Sequence, residues 1–412
     1  MASKALEHLR ICDFTGQLAG AGATKFLAAF GAQVIRVEDP VRKGRWDILR
    51  GGTPFVDERR GIDLGGGFNN HNVEKLGITL NLRTERGKEL LAELIRVSDV
   101  VSENFAAGVL DRMGFSYARM QELRSDIIYV SNCGFGHRGP YAAYKTWGPI
   151  VQAVSGLTLS SGLPDREPAG WGYSYMDHTG ACYMAIAILM ALLHRGRTGE
   201  GQWVDLACTE AGATLNGAAL LDFTVNGRRM RREGMPHSNR SQSPAMAPHG
   251  IYACSGDDHW VALACRDDRD WQALGGVIAE PWCKEERFAA REGRLSEQDA
   301  LDALLTGWTQ PREKFAVETS LREAGVPVAA VQKPQERIDQ DRSTRAFGLW
   351  PEVRHTAMGR VRVDGLPVHL SLTDWSMQRG GPCLGEHNDR IFGDVLGLDA
   401  DEIVRLREEG VI

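Results

Sequence analysis

One stretch of the sequence concentrates groups able to do chemistry. Gly170-Trp171-Gly172-Tyr173-Ser174-Tyr175-Met176-Asp177-His178-Thr179-Gly180 sets a carboxylate and an imidazole among aromatic rings and glycines, just ahead of a long apolar run. Two roles suit Asp177. At the start of a helix it can accept hydrogen bonds from first-turn amides, which is capping. Held beside apolar rings, the same carboxylate can be a positioned nucleophile. His178 can serve as a general base, although an unpaired histidine is more often a local hydrogen-bonding residue.

Two other segments invite a ligand. Residues 36–50 carry Arg36, Arg42, Lys43, Arg45 and Arg50 against Glu38, Asp39 and Asp47. That run reads either as a solvated loop or as an electrostatic cradle for phosphates, for which arginine offers paired donors. Gly20-Ala21-Gly22-Ala23-Thr24-Lys25 follows a strand and precedes a second one ending in Glu38, an arrangement that invites a dinucleotide reading. Lys25 stands where that fingerprint needs a small residue, which argues against nicotinamide. The glycines then either turn a tight corner or bring backbone amides to another ligand.

Other chemistries lack their signatures. The sequence has no H-E-x-x-H, no G-x-x-x-x-G-K-[ST] and no G-x-S-x-G, which weighs against zinc proteases, P-loop ATPases and α/β-hydrolases. The histidines show no outstanding metal spacing, and no metal is expected. None of the 8 cysteines forms a CxxC pair, so reduced core thiols are expected rather than a disulfide framework.

The elements that must position Asp177 alternate in type. Strands at 9–14, 33–38, 77–82, 99–104, 127–131 and 202–206 are separated by helical segments, including a long one over 178–194. A glycine-rich turn is expected at 15–22 and a helix at 24–30. Alternation of this kind predicts an α/β fold with a parallel sheet covered on both faces. Residues 41–67 form a long basic loop, uncommon in a compact domain unless it has a job. After about residue 225 the pattern changes: 250–254 and 259–264 bracket Gly256-Asp257-Asp258, a hairpin signal. The expected organisation is a large Rossmann-like domain over 1–225, a smaller α+β domain over 226–335, and a return to the large domain over 336–412.

Composition bounds the partners. At 412 residues the chain is long for a single core, and 43% hydrophobic with 25% charged residues is ordinary for a globular protein. A net charge of −6 gives no general reason to expect nucleic acid or an anionic membrane. The apolar run 181–193 is shorter than the roughly 20 residues a bilayer requires. No leader pattern opens the sequence, and a cytoplasmic location is expected.

Taken in order, these pieces resemble the class III CoA-transferase family, which includes formyl-CoA:oxalate and carnitine CoA-transferases. The similar segments are LRICDFTGQLAG from Leu9, FGAQVIRVEDP from Phe30, GITLNL from Gly77, DVVSENF from Asp99, GFGHRGPY from Gly134, QAVSGL from Gln152, RTGEGQWVD from Arg197 and APHGIY from Ala247. The resemblance implies that Asp177 is the nucleophile and that Gln17, with nearby amides, stabilises negative charge on the thioester oxygen. It implies that Arg45 and Arg50 meet CoA phosphates and that Glu103, Asn104 and Phe105 line the CoA. Ala106-Ala107 replaces the family's frequent basic-Pro pair, and Gly148-Pro149-Ile150 departs from its usual Gly-Tyr-Asp.

The implied reaction is ping-pong transfer of CoA between carboxylic acids, with CoA thioesters as substrates and no permanently bound cofactor. Trp171, Tyr173 and Tyr175 beside the nucleophile point to a bulky or aromatic acid. The overall sequence is similar to the succinyl-CoA:benzylsuccinate type, in which a catalytic subunit pairs with a related one. Two subunits threaded as interlocked rings are implied, as a homodimer or as a heterodimer or heterotetramer with a related subunit. The alternatives are an acyl-CoA racemase of the same fold and a noncatalytic partner subunit.

Overall fold

The computed structural model describes residues 4–163 and 165–412. The alternating pattern builds, in chain order, β1 (Arg10–Phe14), α1 (Ala19–Ala29), β2 (Gln33–Glu38), α2 (Gly66–Asn72), β3 (Leu76–Thr79), α3 (Glu85–Arg96) and β4 (Val100–Glu103). It continues with α4 (Val109–Arg112), α5 (Tyr117–Leu123), β5 (Ile128–Cys133), α6 (Gly148–Val154), α7 (Tyr175–Thr198), β6 (Trp203–Ala207), α8 (Cys208–Leu215) and α9 (Gly217–Asn226). The six strands form one sheet in the order β3-β2-β1-β4-β5-β6, with every pairing parallel. The order reverses between β1 and β4. In an open α/β sheet that switch point opens a crevice at the carboxyl ends of the strands, where ligands bind.

Strand alternation divides the core. Ile11, Val34, Val100, Ile128 and Val130 face α1 and α7, while Cys12, Ile35, Val101 and Tyr129 face α3 and the C-terminal helix Ala400–Glu408. Both faces are apolar, as a parallel sheet covered on both sides requires. Helix α7 is long and apolar enough to cross a membrane, yet Gly180, Ala181, Met184, Ala185, Ile188 and Ala191 are buried against the rest of the fold.

Helix α1 begins at Ala19, so Gly20 and Gly22 lie inside it rather than in a preceding turn. Their role is close packing. A Cβ on Gly20 would sit 2.8 Å from the Asn104 side chain, and one on Gly22 would sit 3.2 Å from Ala181. The dinucleotide reading fails on the same ground and on Glu38, which is buried and paired with Arg50 instead of open to a ribose.

The chain divides into two compact units. The first takes in the chain up to Ser160, Ala169–Arg228 and Ser343–Ile412; the second is Ser161–Pro168 with Arg229–Arg342. The second carries the antiparallel sheet of His249–Ala253, Trp260–Ala264 and Val328–Ala330, and its core gathers Trp271, Leu274, Phe288, Leu301 and Leu305.

Candidate active site

The turn after β1 lies at the switch point and is pinned from two sides. Gly16 N–H donates to Asn104 Oδ1 at 2.7 Å, and Asn104 Nδ2 donates to the Gly16 carbonyl at 3.0 Å, tying the turn to the residue after β4. Gln17 adopts a left-handed φ of 55°, and its N–H donates to Asp47 Oδ2 at 3.0 Å. Asp47 is in turn held by Arg36 Nη2 at 2.8 Å, and Arg36 also donates to the Thr15 carbonyl. A left-handed non-glycine residue persists only where its surroundings over-determine it. Here a buried ion pair does so.

Beneath the turn Asp13 is fully buried. It accepts from Thr15 N–H at 3.0 Å, Ser102 Oγ at 2.9 Å and Thr24 Oγ1 at 3.0 Å, and pairs with Lys75 at 3.2 Å. Burial opposes its charge, but Lys75 and Arg36 outweigh that and hold the carboxyl below the usual range. Burial pushes the Lys75 ammonium down to about 8.

Asp177 lies in the first turn of α7, and the residue preceding the helix, Ser174, has a left-handed φ of 51°. The carboxylate therefore sits inside the helix instead of capping it. Burial raises its pKa above the ordinary range, with Ser174 and His178 partly offsetting the shift. It opens into a cavity of about 880 Å³ that also presents Gln17, Asn104, Phe105, Cys133, Lys145 and Cys208. Trp46, Tyr144, Trp147 and Tyr173 supply its aromatic walls. The Cys133 and Cys208 thiols are each pushed up to about 12 by burial, so neither is an activated nucleophile.

A second cavity, of about 350 Å³, borders the first, the two sharing Trp46 and Phe105, whose ring centroids are 5.2 Å apart. Phe14, Val37, Leu80 and Met113 line it, with Arg42 and Arg83 at hand. Arg45 is exposed in a neighbouring depression with Arg42 and Lys43.

Several expected site residues sit elsewhere. Arg50 does not face solvent: it is fully buried, pairs with Glu38 through two nitrogens and with Asp63 at 2.8 Å, and lies 3.9 Å from the Phe68 ring centroid. A phosphate cannot reach a guanidinium so enclosed. Glu103 is buried outside the cavity, its carboxylate accepting from Phe105 N–H at 2.6 Å and Tyr129 Oη at 3.1 Å. Trp171 and Tyr175 pack on each other at 5.1 Å, and of the three aromatic residues expected beside the nucleophile Tyr173 lines the cavity. The His178 ring lies 5.8 Å from buried His71, which burial pushes down to about 4.

Sequence reasoning missed Trp46, Arg83, Tyr144, Lys145 and Trp147, while Arg42 figures there only as one of the cations of the 36–50 run. Of the missed residues only Trp46 carried a signal, through the basic run around it. Among the described residues, Glu103, Cys133 and His137 bring possible metal-ligand atoms within 4.8 Å of one another. Those atoms already have partners: Cys133 Sγ donates to the Phe105 carbonyl at 3.3 Å, and His137 Nδ1 lies 3.1 Å from Asp205.

Fold and site together define an α/β protein with a cavity at the switch point of a parallel sheet and a half-buried carboxylate opening into it. The sequence model of CoA-transferase family III matches residues 6–388, and the chain belongs to that family. It is an enzyme of the CoA-transferase type. It is 33% identical to the formyl-CoA:oxalate CoA-transferase of Rhodopseudomonas palustris (strain BisA53), covering 100% of this chain and 98% of that one. The Streptomyces coelicolor enzyme of the same name is 32% identical, covering 100% of both. Among solved structures, a CAIB/BAIF family protein from Brucella suis matches with a TM-score of 0.85 and 30% identity, over 95% of this chain and 99% of that one.

Proposed function

We propose that this enzyme moves CoA from an acyl-CoA donor to a carboxylic acid acceptor through covalent intermediates on Asp177. The carrying observation is that its carboxylate shares one cavity with the strained Gln17 turn. In the first step an Asp177 oxygen attacks the thioester carbonyl, and the C–S bond breaks to give a mixed anhydride and CoA thiolate. The thiolate then attacks the aspartyl carbonyl, forming an aspartyl-CoA thioester and releasing the donor acid. The acceptor carboxylate attacks that thioester, expelling the thiolate and forming a second anhydride. The thiolate then attacks the acceptor's acyl carbonyl, freeing the Asp177 carboxylate as CoA departs on the new acid. Gln17 and the backbone amides of its turn stabilise the oxyanion. The walls limit water, which would hydrolyse either intermediate.

The thioester end of CoA lies beside Gln17, Asn104 and Phe105. The slot past Trp46 takes the apolar part of the nucleotide, with Arg42, Arg45 and Arg83 serving its phosphates. Trp46, Tyr144, Trp147 and Tyr173 suit a bulky, largely apolar acid, and Lys145 suits its free carboxylate. An arylsuccinate such as benzylsuccinate as acceptor, with succinyl-CoA as donor, fits this lining better than a small dianion does. A racemase reading has less support, because among the described residues no imidazole lines the cavity beside Asp177.

The chain works as an assembly of two copies, or with a related subunit, as interlocked rings. Helix α9 has no buried residue, and its Leu220, Leu221, Phe223 and Val225 are exposed, as are Ile186, Met190 and Leu193 of α7. An apolar surface of that extent marks an interface.

Incubation with acyl-CoA followed by hydroxylamine and mass spectrometry is expected to map modification to Asp177, and Asp177→Asn to lose transfer by about 1,000-fold or more. Modification at another residue refutes the mechanism. With succinyl-CoA as donor, arylsuccinates are expected to outpace oxalate as acceptors. Equal or faster turnover with oxalate refutes the substrate class. Solvent deuterium entering the α-position without CoA exchange between acids would establish the racemase instead.

A further inference from the structure

Asp177 touches an element that the mechanism above does not use. A Cβ built on Gly148 would lie 2.4 Å from Asp177 Oδ2, 3.1 Å from Cγ and 3.5 Å from Oδ1. Real Cβ atoms do not approach oxygen so closely, so the carboxylate rests directly on the bare α-carbon of residue 148. The segment that carries Gly148 is itself pressed inward: a Cβ on Gly134, just after β5, would fall 1.8 Å from Thr146 Oγ1. On the far side, α7 is drawn close through Gly180, where a Cβ would lie 2.7 Å from Cys208 Sγ, and Cys208 donates to Asn132 Oδ1 at 2.9 Å. The first turn of α7 and the first residue of α6 are thus brought together by missing side chains on both elements.

We propose that Gly148 is the positioning residue for the nucleophile: its bare α-carbon sets where the Asp177 carboxylate stands against the thioester. The inference rests on the reading of Asp177 as nucleophile. Aspartate has two side-chain torsions and an open cavity in front of it, so a methyl at 148 is relieved by swinging the carboxylate away. That relief preserves the fold and removes the geometry. A displacement of about 1 Å in a reacting group can cost on the order of 100-fold in rate.

Gly148→Ala is therefore expected to keep its circular dichroism and to hold KM for the acyl-CoA within about threefold, while kcat falls by about 100-fold. The control is Gly276→Ala, in the second unit, where a Cβ meets nothing within 4 Å; its kinetics are expected to match the parent. If Gly148→Ala fails to fold, the double variant Gly148→Ala/Asp177→Ala decides the matter. Removing the carboxylate removes the obstacle, so the double variant is expected to be soluble and to regain the melting temperature of Asp177→Ala. A kcat for Gly148→Ala within threefold of the parent overturns the proposal, as does a double variant no more stable than the single one. Asp177→Ala run alongside separates the two readings. Activity in that variant sinks the nucleophile itself, whereas an inactive Asp177→Ala with a fully active Gly148→Ala sinks only the positioning role.

Discussion

At the scale of the residue, the proposed chemistry draws on a carboxylate kept partly out of water. Burial raises the pKa of Asp177, with Ser174 and His178 partly offsetting it. The proposed attack requires the ionised form, so kcat/KM for the acyl-CoA is expected to fall on acidification through a pKa above the ordinary aspartate range. The same shift acts on stability with a definite sign. A carboxyl whose folded pKa exceeds its unfolded one destabilises the fold while charged, and that penalty fades as pH drops through the folded pKa. Asp177→Asn is accordingly expected to melt higher than the parent at neutral pH, with the gap closing in acid. A melting temperature that is unchanged or lower at neutral pH would contradict this. The residue stands out in the sequence alone, because glycines and aromatic rings around one carboxylate are an unusual combination. Its place inside the helix was not legible there, since Ser174 rather than Asp177 leaves the helical conformation.

At the scale of the element, the basic loop after β2 separates into two populations that composition could not tell apart. Arg36 and Arg50 turn inward to Asp47, Glu38 and Asp63, and Arg36 braces the turn at Gln17 through Asp47. Arg42 and Arg45 stay at the surface beside Trp46. Removing one partner of a buried ion pair costs about 3–5 kcal/mol, because it leaves the other charge unpaired. Arg50→Ala is therefore expected to lose stability of that order in urea unfolding. Arg42→Ala and Arg45→Ala are expected to leave unfolding untouched and to raise KM for CoA esters by about three- to tenfold, an effect that shrinks with salt. The opposite pattern would return Arg50 to the phosphate site. One-dimensional spacing shows that cations are abundant here. Which of them meets a carboxylate depends on strands and loops far apart in sequence.

At the scale of the whole molecule, the exposed apolar surface of α7 and α9 is what the proposed assembly covers. Sedimentation or light scattering at micromolar concentration is expected to give at least twice the 45.3 kDa of the chain. Leu221→Asp with Phe223→Asp is expected to reduce that mass and the activity together. A fully active protein at single-chain mass would end the proposal of an assembly. The strand–helix alternation made the sheet and its parallel sense readable from sequence, because period and connection length are local properties. The passage of Ser161–Pro168 into the second unit, between two stretches of the first, left no comparable local signal.

The amino-acid order by itself determined the α/β class, the family resemblance and the carboxylate on which the chemistry is proposed to turn, since each is written in local pattern or in short ordered motifs. The tertiary structure decided which arginines are interior, which aromatic rings form the walls, and that the α-carbon of residue 148 touches residue 177. The reason is physical: burial and contact are set by segments that meet only after the chain has folded, and nothing in the spacing along it records those distances.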